Sequence, residues 1–278
     1  KKNDNTQKFN QNENNLTSEF DLLKSNNLFI ADNGAEVSEE SVLISEIIIE
    51  GWENHPEGRK LELAAYDSMT IKPGSVINNQ ILRNDLNLIY ASGWFSGVTV
   101  KSEDGPLGVR LIVNVVPNPI LNKVELNPKE RIIPNQFLDD IFNDYYGTTI
   151  NLNELQGRIE LIKEWYVERG YSLARINGPD RITGDGIVSL SLAEGIVSDI
   201  ELRFLGSDGE PFVDGKPREG KTKDWVIKRE LKTIPGSIFN RKILEADIKR
   251  LYATSLFDDI KVSLGPDNQN PGQVIIIL

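Results

Sequence analysis

An α+β fold made of three tandem repeats is predicted by three observations. The segment PGSVINNQILRNDLNLIYASGWF (73–95) returns at 235–257 as PGSIFNRKILEADIKRLYATSLF, with ten of 23 positions identical. Both copies share one context: a Val/Ile-rich run and a helical run before, two strand-like runs after. A third, diverged copy lies between them. The unit is therefore β-α-α-β-β over roughly 75 residues, two helices packed on a three-stranded mixed sheet.

The first repeat begins with SVLISEIIIEGW (41–52), a strand dense in β-branched residues and stopped by Gly51. LELAAYDSM (61–69) has helical spacing. Pro73-Gly74 then breaks the chain, and Asn78 is placed as an N-cap. Ile81, Leu82, Leu86, Ile89 and Tyr90 follow on one helical face, and Gly93 sits where a left-handed C-terminal residue is expected. FSGVTVKSE and GVRLIVNVV read as two strands joined by a turn at Asp104-Gly105-Pro106.

The last repeat has the same order. DIELRFLG is a strand and DWVIKRELK a helix. Asn240 caps a second helix bearing Ile243, Leu244, Ile248, Leu251 and Tyr252, and FDDIKVSL and QVIIIL are strands. In the middle repeat NKVELNP is the first strand and IPNQFLDDIFNDYY the first helix, with Gly147 in the place of Gly74 and Gly236. Asn151 caps its second helix, with Glu154 placed to complete a capping box. Leu155, Ile159, Ile162 and Tyr166 form a stripe one turn longer than in the sibling helices. SLARING and GIVSLSLAEG close a hairpin around Asp185-Gly186.

The expected divisions are a polar linker at 1–40 and repeats at 41–117, 118–195 and 196–278. The linker is rich in Asn, Gln, Glu and Ser, too polar to offset its ordering entropy, apart from a short helix at 19–28 with Phe20, Leu22 and Leu23. Tyr90 and Tyr252 are expected to be packed aromatics. A unit this small gains stability from its neighbours, so the repeats are not independent beads.

Composition excludes several functions. The chain has no cysteine, which removes disulfides, thiolate metal sites and a cysteine nucleophile. A net charge of −11 argues against nucleic acid, whose phosphates need a clustered basic surface. No apolar run is long enough for a spanning helix, and KKNDNTQKFNQNENN lacks the apolar core of a signal peptide.

No catalytic constellation emerges. His55 is the only histidine, in the polar loop WENHPEG, and reads as a solvated loop residue without a metal or base partner. GSDGEPFVDGK (206–216) matches neither a phosphate loop nor a calcium loop, since Pro217 follows Lys216 and the acid spacing is irregular. Turn chemistry accounts for it. The pairs Asp139-Asp140 and Asp258-Asp259 read as solvated faces. No metal site and no cofactor are expected.

The repeated unit, with its glycine, its helix ending in Tyr, a small-residue turn and then Phe95 or Phe257, resembles the POTRA (polypeptide-transport-associated) repeat. Three in tandem after a polar linker resemble the periplasmic arm of the BamA-like outer-membrane barrel assembly family. The nearest branch is the cyanobacterial one, related to the chloroplast protein-import pore. The resemblance covers about residues 41–278 and is weakest in the middle repeat, which lacks the Pro-Gly pair. It implies a periplasmic receptor or chaperone-like arm, anchored in the outer membrane by a C-terminal barrel that follows this chain. Its partners would be unfolded outer-membrane proteins, accessory periplasmic or outer-membrane proteins and that barrel; no enzyme activity is implied. A docking platform for folded partners and a two-partner secretion exporter arm are the alternatives.

Three sets of residues are candidates for that work. Clients are expected to add a strand at an edge formed by Val98, Thr99, Val100 and Lys101, while DDIKVSL in the last repeat is better guarded by Asp258 and Asp259. The long connection at 206–223, with Lys216, Arg218, Lys221 and Lys223, is expected to face the barrel or a passing client. Pro117 and Pro119 are expected at a hinge between repeats one and two, with a firmer second junction.

Overall fold

The computed structural model describes residues 41–278 apart from position 207. The linker at 1–40, with its expected helix, lies outside the described residues. The chain divides into two compact units: residues up to Glu125 with Ile141–Arg158 and Gly178–Leu190, and Leu126–Asp140 with Ile159–Asn177 and Ser191–Leu278.

Repeat one contains β1 (Val42–Glu50), α1 (Gly58–Ser68), β2 (Val76–Ile77), α2 (Asn79–Ala91), β3 (Phe95–Gly105) and β4 (Gly108–Pro117). β1 runs parallel to β4, and β3 antiparallel to it, so the sheet is mixed, in the order β2-β1-β4-β3. The two-residue β2 adds a fourth strand to the three expected, because the chain entering α2 pairs with Val42 and Leu43. One sheet face buries Ile44, Ile49, Val98, Val100, Leu111, Val113 and Val115 against Leu61, Ala65, Leu86 and Ile89 of the helices. Each buried Val, Leu or Ile contributes about 1.5–3 kcal/mol of transfer free energy. α2 starts where Asn78 Oδ1 accepts the Ile81 N–H at 2.9 Å, and ends at Gly93, whose φ of 84° is left-handed.

The middle repeat has β5 (Lys123–Asn127), α3 (Asn135–Phe142), α4 (Leu152–Glu168), β6 (Arg175–Ile182) and β7 (Ile187–Ala193), with sheet order β5-β7-β6. α4 has 17 residues against 13 in α2, one turn more, as its stripe predicts. α3 stops at Phe142, short of the expected Tyr146. The capping box forms only in half: Asn151 Oδ1 accepts the Asn153 and Glu154 N–H groups, but the Asn151 N–H donates to Tyr145 Oη. Glu154 turns instead to Arg158 at 2.7 Å.

Repeat three has β8 (Ile196–Glu201), β9 (Phe212–Val213), β10 (Lys216–Pro217), α5 (Asp224–Lys228), α6 (Arg241–Ala253), β11 (Ser263–Pro266) and β12 (Gln273–Ile277). Its main sheet has the order β11-β12-β8, again mixed. Val197, Ile200, Ile227, Leu231, Phe239, Leu244, Leu251 and Ile276 form its core. Three elements differ from expectation: β8 begins at Ile196 and stops at Glu201, inside the predicted DIELRFLG strand, and two others are shorter. α5 spans five residues, and β11 covers only the end of the predicted FDDIKVSL strand. Asp259 Oδ1 accepts from both Tyr252 Oη and the Ile260 N–H, which bends this stretch away from the ladder. Tyr252 is accordingly 40% exposed rather than packed in the core.

One anchor recurs in all three repeats. Gly74, Gly147 and Gly236 have φ of 93°, 81° and 85°. Their N–H groups donate to the carbonyls of Ile44 in β1, Leu121 just before β5 and Val197 in β8, at 2.7, 2.8 and 2.7 Å. A left-handed residue is needed at that bond, which is why glycine replaces the otherwise absent Pro-Gly pair in the middle repeat. Among the described residues no helix is long and apolar enough to cross a membrane.

Candidate functional site

The residues expected to bind clients lie on β3, an outer strand of its sheet. Val98 and Val100 are buried in the core, Thr99 is half-buried and Lys101 exposed, which is the expected alternation. β3 is 11 residues long and free of proline. The corresponding edges differ: β6 carries Pro179, which has no N–H to offer, and β11 has four residues and ends in Pro266.

The connection at 206–223 is built rather than loose. β9 and β10 pair across Asp214-Gly215, both with positive φ (49° and 76°), a two-residue hairpin turn of the kind Asp-Gly favours. Of the four cations, Arg218 is spent inside the loop: its guanidinium pairs with Asp208 at 2.6 Å and donates to the Glu210 carbonyl. Lys216, Lys221 and Lys223 are exposed. Phe212 and Val213 are exposed too, an apolar tip that the sequence reading overlooked. Gly220 lies against the Phe204 ring, in space a Cβ would fill.

His55 is half-buried rather than fully solvated, and its Nδ1 accepts the Glu57 N–H at 3.2 Å. Among the described residues no group of three or more His, Asp or Glu could hold a metal ion.

Pro117 and Pro119 flank a residue the sequence reading missed. Asn118 is buried, and its Nδ2 donates to the carbonyls of Gly93 and Ile150, both at 2.9 Å. Nearby, Glu57 Oε2 accepts from the Thr149 N–H and hydroxyl at 2.7 and 2.5 Å. Burial alone would raise the Glu57 pKa, but those two bonds and Lys60 hold it below the usual carboxylate range.

The capping asparagines have a second function there. While Asn151 Oδ1 caps α4, its Nδ2 donates to the Ser92 carbonyl at the end of α2 at 2.9 Å. The Leu152 N–H donates to the Gly93 carbonyl, and Asn153 Nδ2 to that of Ala91. The second junction repeats the pattern. Asn240 Nδ2 donates to the Arg169 carbonyl, the Arg241 N–H to Gly170, and Lys242 Nζ to Glu168. The recurring asparagine was visible in the sequence as a cap. Its other bond was not, because the acceptor is a main-chain carbonyl that any residue could supply.

Three successive units of two helices and a small sheet, mixed in the first and last, define a tandem POTRA-type array. Residues 120–195 match the family described as "POTRA domain, ShlB-type", and 215–277 the POTRA family described as "Surface antigen variable number repeat". The structure of POTRA1-3 of the periplasmic domain of Omp85 from Anabaena is 36% identical, with a TM-score of 0.74 over 86% of this chain and 95% of that one. The N-terminal domain of Omp85 from Thermosynechococcus elongatus is 38% identical, with the same TM-score of 0.74 over 86% and 97% of the two chains. The chain belongs to the Omp85 family, as a run of its POTRA repeats. Among curated relatives, the chloroplastic Outer envelope protein 80 of Oryza sativa subsp. japonica is 30% identical over 81% of this chain. The chain spans about a third of the length of the curated relatives it matches, 33% in that case.

Proposed function

We propose that this chain is the periplasmic arm of an outer-membrane Omp85-type protein and that it captures unfolded outer-membrane proteins by strand addition at β3. The observation that carries this reading is the contrast between edges: β3 offers an 11-residue, proline-free edge whose register is unbroken from Gly97 to Gly105, while β6 holds Pro179 and β11 is four residues long. An added strand gains main-chain hydrogen bonds whatever its side chains, which suits clients of diverse sequence. Lys101 guards against uncontrolled pairing without blocking the ladder. Repeat three would lie next to the barrel, and its hairpin, with Phe212, Val213, Lys216, Lys221 and Lys223 exposed, would meet the barrel or a client passing to it.

The test is a proline at Thr99 and, separately, at Val100. In an antiparallel ladder alternate residues aim their N–H outward, so one of these two positions removes an outward donor and the other an inward one. The folded variant is expected to bind an unfolded barrel-derived peptide weakly, whereas Lys101→Ala binds it nearly as the parent does. Undiminished binding by both folded proline variants would rule out this edge. A chain that binds folded partners but no such peptide would be a docking platform instead.

A further inference from the structure

We propose that the asparagine capping the second helix of repeats two and three is a latch that holds each repeat against the one before it. The same three donors recur at both junctions. The first helical N–H, the cap Nδ2 and the side chain two residues after the cap all meet carbonyls at or just past the C-terminus of the second helix of the repeat before. At the first junction these are Leu152, Asn151 and Asn153 on Gly93, Ser92 and Ala91. At the second they are Arg241, Asn240 and Lys242 on Gly170, Arg169 and Glu168.

The match extends to shape and electrostatics. Helix N-termini leave N–H groups unpaired and C-termini leave carbonyls, with partial charges of opposite sign. At each junction one helical N–H and the carbonyls around the end of the earlier helix are satisfied together. A Cβ at Gly93 would lie 2.8 Å from Asn151 Oδ1, and one at Gly170 would lie 2.5 Å from Asn240 Oδ1, so the latch closes only on glycine. Both glycines also have left-handed φ, 84° and 93°. Repeat three carries Ser255 at this position, with φ 55°, so α6 ends in a residue whose side chain occupies the latch space. Asn78, the equivalent cap in repeat one, caps its own helix through the Ile81 N–H. Bending at Pro117 and Pro119 therefore has to open the Asn151 latch together with the two bonds of Asn118.

Asn→Asp separates the two roles, because a carboxylate caps as well as an amide but has no N–H to donate. With no native cysteine, spin labels can be placed at S102C and Q156C across the first junction, and at E164C and K249C across the second. N151D is expected to broaden the first distance distribution and leave the second unchanged; N240D does the reverse, and N78D alters neither. One net hydrogen bond corresponds to about a fivefold change in the closed-to-open ratio. Parent-like distributions in folded N151D and N240D would overturn the proposal. Should N151D not fold, N153A decides: Asn153 is exposed, and an unaltered first distribution in that variant would equally overturn it.

Discussion

Asp85 and Arg158 occupy the same place in their repeats, seven residues after the capping asparagine, and carry opposite charges. Asp85 is 1% exposed and accepts from the Thr70 hydroxyl and, at 2.7 Å, the Ile71 N–H. Asp247 does the same in repeat three, accepting from the Lys232 and Thr233 N–H groups and the Thr233 hydroxyl. In the middle repeat a cation replaces the acid. Arg158 reaches Asp144, Glu154 and the Ile141 carbonyl and lies over the Tyr145 ring. In each case a charged group ties the second helix to the segment before it.

Asp85→Ala is expected to leave the buried Ile71 N–H without a partner, costing about 1–3 kcal/mol. Hydrogen exchange should then quicken across residues 61–90 and remain unchanged in repeat three. Asp85→Asn, which keeps an acceptor oxygen, should lose less. Equal exchange in Asp85→Ala and the parent would show that the carboxylate does not hold this loop.

Arg158→Met is expected to return Asp144 to the ordinary carboxylate range. Asp144 is held below that range first by its hydrogen bond from Arg158. An NMR titration of its carboxyl carbon in both proteins checks the direction of the change.

Acid should loosen the first junction selectively. The Glu57 pKa lies below its ordinary value of 4.5, so the stability it contributes is complete above that pH. It is lost as pH falls through the lower, folded value. Lys60, at 3.2 Å, favours the ionised carboxylate and so acts with the same sign. Spin-label distances across the first junction should broaden below pH 4.5, and Glu57→Gln should remove that dependence. The second junction has no acid in the same role among its three latch bonds and should be insensitive over this interval.

The hairpin at 206–223 should depend on two internal contacts rather than on its surface lysines. Arg218→Ala removes the bonds to Asp208 and the Glu210 carbonyl, and Gly220→Val drives a side chain into the Phe204 ring. Either change should speed tryptic cleavage at Lys221 and Lys223 while leaving the circular dichroism of the folded repeats unchanged. Parent-like cleavage in both variants would mean that the loop is held by other contacts.

The sequence by itself determined the repeat, its element order and its hydrophobic faces. Apolar periodicity and the positions of Gly74, Gly147 and Gly236 depend on local backbone geometry, which each segment encodes within a few residues. The edge at Val98–Lys101 was legible for the same reason, since alternation follows the strand period. Tertiary structure alone decided what the polar groups do. Asn151 and Asn240 reach main-chain carbonyls 59 and 71 residues back, and Asn118 joins Gly93 to Ile150. Such acceptors have no side-chain signature, so nothing in the residue types marks them. The shortened β11 was decided in the same way: the Tyr252–Asp259 bond competes with the ladder, and that contest is settled only once α6 has placed the tyrosine.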